Sequence, residues 1–305
     1  MDNVLTLVSA DPSRPAEDYV AQICSQLARA GAEIGRQSWL AEDKACDIFF
    51  TNLSLDAAAT LVRQALATAP VDALTQATAN RRKKLLVADM DSTIVAGETL
   101  DDLAELAGIG AKIAAITARA MNGEIPFRDA LRERVAMLRG VDAGYLEETA
   151  QALRLNPGAE ILIGTLSAAG VHTALVSGGF DFFTARVARQ LGFEVNKGNR
   201  IEIVNNRFTG EILAPVITKD VKRQTLVALA AEHRIAMIET LAVGDGANDL
   251  PMLQAAGLGV AYYAKPVVVA AARAQVAHTD LTTLLYYQGY GQSAFVSPPG
   301  SVENQ

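Results

Sequence analysis

The chain opens on an apolar run, VLTLVS at 4–9, and from Glu17 to Ala30 the side chains Val20, Ile23, Cys24, Leu27 and Ala28 recur every three or four residues. A strand followed by an amphipathic helix is predicted, with Gly31 ending the helix. Two β-like runs come next, EIGRQSWLAE and ACDIFFTN, then a helical stretch, LDAAATLVRQALATA, and a short strand, VDALTQA. The order βαββαβ predicts a small ferredoxin-like α+β domain over residues 1–80.

The polar stretch ATANRRKK at 77–84 separates this module from a new apolar strand, Leu85 to Ala88. Its four consecutive cations read as a solvated linker at a domain boundary, in preference to a contact for an anionic partner. From Thr99 to about Leu155 the pattern is helical, broken at Gly108–Gly110, 122–126 and 140–144, so residues 99–156 are predicted to form a helical insert. After Pro157 the chain alternates: a helix to Ala169, strand VHTALVS, helix FDFFTARVARQLG and a hairpin from Glu194 to Leu213. Helix VKRQTLVALAAEH, strand ETLAVGD, helix NDLPMLQAAG and strand LGVAYYA complete it. Such alternation predicts an α/β core, 81–98 with 157–290, built on a parallel sheet. The tail from Gly291 to the end is predicted to be flexible.

Composition narrows the function. Half of the 305 residues are hydrophobic, enough for two or three folded units. A net charge of -7 argues against nucleic acid as a partner. No apolar stretch approaches the roughly 18 residues of a membrane span, and MDNVLTLVSADPSRP lacks a basic region before its apolar run, so a cytoplasmic protein without membrane contact is expected. Cys24 and Cys46 read as reduced, buried thiols. His172, His233 and His278 lack the spacing of a metal site or triad and read as structural.

Three polar clusters each follow directly on an apolar strand: DMDST at 89–93, SGG at 177–179 and GDGAND at 244–249. Ligands in parallel α/β sheets bind beyond the carboxyl ends of the strands, so these clusters mark a site. Asp89 and Asp91 on one face repel each other unless a cation intervenes, and a hard Mg²⁺ held by Asp89, a main-chain carbonyl near Asp91 and Asp245 answers that need. With its charge shared, Asp89 can attack phosphorus, while Asp91 acts as acid and base. Thr93, Ser177, the N–H groups of Gly178 and Gly179, and Lys222 supply donors for the transferring oxygens. Lys219 competes with Lys222 for that role.

The segments DMDSTIVAGETLDDLAELAG, MNGEIPFRDALRERV, SGGF and GDGANDLPML closely resemble the phosphoserine phosphatases of the haloacid dehalogenase superfamily, over residues 85 to 290. That resemblance implies a Rossmann-like core with a four-helix cap and Mg²⁺-dependent hydrolysis of phosphoserine through an aspartyl-phosphate. It implies that Glu98 meets the substrate ammonium, that Arg134 holds its carboxylate, and that Met121 and Phe127 close the pocket. It further implies that Asn248 touches the phosphate and that Asp249 positions the metal or the lysine. The first 80 residues are similar to ACT-type regulatory modules, which predicts a homodimer regulated by serine. Two other readings stay open: a phosphatase of the same superfamily for another small phosphomonoester, and an amino-acid-sensing regulator with a dead core.

Overall fold

A computed structural model describes residues 2–121 and 124–296, with backbone only for Ala120, Met121 and Phe127. The N-terminal module runs β1 (Asn3–Ser9), α1 (Ala16–Arg29), β2 (Glu33–Ala41), β3 (Ala45–Thr51), α2 (Leu55–Ala65) and β4 (Val71–Ala77). Its sheet has the order β2-β3-β1-β4, with antiparallel pairing throughout. The period-2 alternation of strands divides its side chains. Leu5, Leu7, Cys46, Ile48 and Phe50 pack under α1 and α2, while Val8, Ala45 and Leu74 join the core of the rest of the chain.

The larger part starts with β5 (Leu85–Ala88), followed by four helices, α3 (Thr99–Leu106), α4 (Gly110–Met121), α5 (Phe127–Met137) and α6 (Tyr145–Ala152). Then come α7 (Ala159–Ala168), β6 (His172–Phe180), α8 (Asp181–Leu191), β7 (Val195–Val204), β8 (Arg207–Leu213), α9 (Lys219–Glu232), β9 (Thr240–Gly244), α10 (Leu250–Ala255) and β10 (Leu258–Tyr262). Next are α11 (Pro266–Val269), β11 (Ala274–Val276), α12 (Thr283–Tyr287) and a short 3-10 turn at Gln292–Ala294. Seven strands order as β11-β10-β9-β5-β6-β7-β8, parallel except for the β7–β8 hairpin. The order reverses at β5, where ligands of open α/β sheets bind. The expected α/β architecture with a helical cap and a ferredoxin-like module is borne out.

The cap's entry and exit are stitched together: Val95 bridges Leu155, the Ala96 N–H donates to the Arg154 carbonyl at 2.8 Å, and the Asn156 side chain donates to the Thr93 carbonyl at 2.8 Å. The helices therefore leave and rejoin the core through one short neck directly behind the DMDST loop.

The RRKK run is only in part the solvated linker its composition suggests: Arg82 and Lys84 are exposed, Arg81 and Lys83 are not. Arg81 is a rivet with its side chain only 10% exposed: it pairs with Asp47 at 2.6 Å, and its guanidinium also donates to Thr6 Oγ1 at 2.7 Å and to the carbonyls of Tyr286 and Tyr287 at 3.0 and 2.8 Å. The Arg82 guanidinium stacks 3.5 Å over the Tyr290 ring. Lys83 is buried, donating to the carbonyls of Asn80 and Ile238, and burial pulls its pKa down to about 8. Lys84 pairs with Glu239 at 2.7 Å. A second weld sits at β4, where the buried Asp72 carboxylate accepts the N–H groups of Ala277, His278 and Thr279 and the Thr279 hydroxyl. Buried charges persist only when compensated: Asp47 is paired with Arg81, and Asp72 is held by four hydrogen bonds. The tail also departs from expectation: Phe295 packs 5.1 Å from Tyr286 and the Val296 N–H donates to Thr165 Oγ1 at 2.9 Å, so residues 291–296 are anchored. Residues 297–305 lie outside the described residues. Among the described residues no helix is long and apolar enough to cross a membrane.

Candidate active site

β5, β6 and β9 are adjacent, so their carboxyl ends bring Asp89, Ser177 and Asp245 to the rim of one chamber of about 1130 Å³ that lies under the cap. Asp89 is 4% exposed, and its Oδ1 accepts from the Met90 N–H and from Lys222 Nζ, both at 2.7 Å. Lys222, in the first turn of α9, reaches Asp249 Oδ1 as well, also at 2.7 Å. Asp249 Oδ2 in turn accepts the Gly246 N–H at 3.0 Å. Burial works against the lysine's charge, but Asp249 and Asp89 outweigh it and its pKa is raised. Lys219 lines the chamber, whereas Lys222 makes the contact with Asp89.

The ligand oxygens of Asp89, Asp245 and Asp249 lie within 4.8 Å of one another. Burial first, and then the neighbouring Asp249, push Asp89 well above the carboxylate range and Asp245 up to about 6, with Lys222 opposing both. Lys265 adds a second opposing charge at Asp245. Three carboxylates with oxygen donors only, crowded around a single buried ammonium, fit a hard divalent cation. The Asp91 side chain is not part of this cluster. Its Oδ1 accepts the Thr99 N–H at 2.9 Å and its Oδ2 the Ser177 hydroxyl at 2.8 Å.

The Gly178–Gly179 pair ends β6 and precedes α8, whose N-cap is Phe180, so it is a strand end and not a helix N-terminus. The Gly179 N–H donates to Ser177 Oγ at 2.8 Å, so it holds the serine and is not a free donor for a phosphate. A Cβ at residue 179 would sit 2.7 Å from Asp91 Oδ2, so any side chain there would push the Asp91 carboxylate aside. The loop is locked from behind by buried Asn199, which donates to the Gly178 carbonyl and accepts the Ile217 N–H, each at 2.7 Å.

On the cap side Glu98 and Arg134 face the same chamber. Glu98 leaves more than a third of its surface exposed, yet chain atoms crowd its carboxyl, and this desolvation, then Asp91, raises it to about 7 despite a 2.9 Å bond from Ser92. Arg134 is half-buried; burial lowers its pKa, and Asp101, Glu98 and Asp91 partly restore it. Among the described residues four buried polar side-chain atoms lack a partner: Thr93 Oγ1, Thr99 Oγ1, Asp101 Oδ1 and Arg134 Nε. Unpaired buried polar groups are rare in folded proteins, and all four of these belong to residues on the DMDST loop or the cap helices next to the chamber. Asn248 also lines the chamber. The side chains of Met121 and Phe127 lie outside the described residues.

Sequence reasoning missed Thr99, Asp101, Lys265 and Asn199. Asp101 stands one turn from Glu98 in the same acidic segment, a pattern that could have singled it out. The Thr99 contact is a main-chain donor and leaves no mark in sequence.

A profile of the haloacid dehalogenase-like hydrolases matches residues 86–254. The phosphoserine phosphatase of Streptococcus thermophilus is 44% identical over 199 residues, 65% of this chain and 93% of its own length. Similarity in structure extends over the N-terminal module too. A hydrolase of the same family from Salmonella enterica serovar Typhi superposes with a TM-score of 0.83 at 29% identity, covering 93% of this chain and 97% of its own. A probable phosphoserine phosphatase from Vibrio cholerae gives 0.76 at 29% identity, covering 96% and 88%. With the matched profile spanning the strands that deliver Asp89, Ser177 and Asp245, this chain belongs to the haloacid dehalogenase-like hydrolase family.

Proposed function

We propose that the protein hydrolyses O-phosphoserine to serine and inorganic phosphate, with Mg²⁺ as its cofactor and Asp89 as the residue phosphorylated on the way. The observation that supports this reading best is the division of one chamber into two charge patterns. A cluster of carboxylates with a lysine lies at the strand ends, and an anion, Glu98, with a cation, Arg134, lies at the cap. Phosphoserine carries the complementary groups: a phosphate, an ammonium and a carboxylate. The name of the Streptococcus thermophilus relative points the same way.

Asp89, Asp245 and Asp249, with a main-chain carbonyl near Asp91, are the residues to hold Mg²⁺. When bound, the ion shares the charge of the carboxylates and of a phosphate oxygen, so that anion can approach anion. Arg134 takes the substrate carboxylate and Glu98 its ammonium, fixing the phosphorus in line with Asp89. Lys222 and the Met90 N–H grip Oδ1 of Asp89, which leaves Oδ2 to form the bond to phosphorus as the bond to the serine oxygen breaks. Asp91, steadied by Thr99 and Ser177, gives its proton to that departing oxygen. The same carboxylate then takes a proton from water, whose oxygen attacks the phosphorus and frees Asp89. Lys222, Thr93 and Asn248 serve the equatorial oxygens, while Ser177 gives its one hydroxyl proton to Asp91.

The units we assign are a regulatory ACT-like module over 1–80, a core of 81–98 and 157–290, and a cap of 99–156. The module is the surface for a homodimer and for serine control in the cytoplasm. Sedimentation of a monomer, with serine sensitivity unchanged after removal of 1–80, would exclude that role. Release of phosphate from phosphoserine, with and without Mg²⁺ and beside a panel of other phosphomonoesters, tests the catalytic assignment. Indifference to the amino and carboxylate groups would reassign the substrate to another small phosphomonoester.

A further inference from the structure

We propose that His172, Glu194 and His233 form a second metal site, for Zn²⁺, at the end of the sheet opposite the catalytic chamber. The three residues come from separate elements. His172 opens β6, Glu194 immediately precedes β7, and His233 caps the C-terminus of α9. Their ligand atoms lie within 4.8 Å of one another. His172 Nδ1 is 2.7 Å from Glu194 Oε2, and the two imidazole rings stack with centroids 3.6 Å apart and 22° between their planes. His172 lies roughly 17 Å along β6 from Ser177, at about 3.3 Å per residue, so the two sites cannot share an ion.

The donor set decides the metal. Two imidazole nitrogens and one carboxylate oxygen suit a borderline ion, which takes three protein ligands and a water in tetrahedral geometry. Mg²⁺ prefers the oxygen-only cluster at Asp89, Asp245 and Asp249. Rings stacked 22° from parallel hold their in-plane lone pairs in nearly parallel planes, so binding requires the rings to fan apart. The side chains of His172 and Glu194 are 35% and 49% exposed, and His233 is half-buried, which leaves room for that rotation. An ion there ties the end of α9 to the starts of two strands, and α9 carries Lys222 in its first turn. The expected effect is on stability, with the chemistry at the far end unaltered.

The test uses the full-length protein in saturating Mg²⁺, with Cu²⁺ as the spectroscopic probe and Zn²⁺ for calorimetry. Pulsed EPR should show one Cu²⁺ per chain coupled to imidazole nitrogens, a signature the oxygen-only catalytic cluster cannot give. Zn²⁺ should bind at one site and raise the melting temperature. H172A and H233A should each weaken Zn²⁺ by more than about 100-fold, beyond the 10–100-fold that loss of an outer-shell partner costs. H233Q, which keeps the side-chain size, should do the same, and H278A should change nothing. Absence of imidazole coupling in the unmodified protein, or Zn²⁺ affinity that survives both histidine substitutions, would overturn the site.

Discussion

Replacing Arg134 with alanine probes the recognition half of the chamber without touching the carboxylates that hold the ion. Arg134 Nε is buried without a partner, and burial lowers the pKa of its guanidinium, so its charge is only partly compensated by Asp101, Glu98 and Asp91. A substrate carboxylate fills that deficit. Each hydrogen bond to a charged group is worth about 1.5–3 kcal/mol, and a forked guanidinium makes two. Chamber water takes over part of that role once the side chain is cut back, which leaves a net loss of about 3 kcal/mol, or about 150-fold in kcat/KM for phosphoserine. Ethanolamine phosphate, which has the ammonium and the phosphate but no carboxylate, should change by less than about threefold. Steady-state phosphate release on both substrates gives the comparison, and a melting curve confirms that the variant folds. Equal losses on the two substrates would mean that Arg134 supports the cap and does not read the carboxylate.

Three other outcomes are expected. Glu98, raised to about 7, must be ionised to hold an ammonium. KM for phosphoserine should therefore rise about tenfold from pH 8 to pH 6, and Glu98→Gln should flatten that component of the profile; a slope that persists in the variant assigns the titration to another group. The same shift acts on stability in a fixed direction: a carboxyl raised on folding stabilises most below its unfolded pKa, so its contribution fades as pH climbs from about 4.5 to about 7. Urea midpoints of the Glu98→Gln variant should be less sensitive to pH across that window, and an unchanged dependence would contradict the shift. Arg81→Ala should cost about 3–5 kcal/mol, because Asp47 is left as a buried, unpaired charge. A loss under about 1 kcal/mol in urea titration would show that the pair contributes little to joining the module to the core.

What could be read from the sequence were features whose signal is local. Apolar runs that end in Asp, Ser and Gly locate the strand ends, and the strand-end rule alone puts Asp89, Ser177 and Asp245 in one place. Helical periodicity delimited α3 to α6, and βαββαβ identified the N-terminal sheet. What escaped depends on partners far along the chain. Arg81 looked like a solvated charge because its partners Asp47, Tyr286 and Tyr287 lie 34, 205 and 206 residues away. Asp72 gave no hint of the three N–H groups it binds more than 200 residues later. His172, Glu194 and His233 meet only because the starts of two neighbouring strands and the end of a helix converge. The free N–H expected at Gly179 was lost to a serine hydroxyl two residues away, a contact that depends on loop geometry.

The covalent intermediate at Asp89 is the claim on which the mechanism turns. Rapid acid quench of the Mg²⁺-loaded protein with ³²P-labelled phosphoserine, followed by peptide mapping, should place a hydroxylamine-sensitive label on Asp89, absent in Asp89→Asn. Label on another residue, or steady turnover by Asp89→Asn, would contradict it.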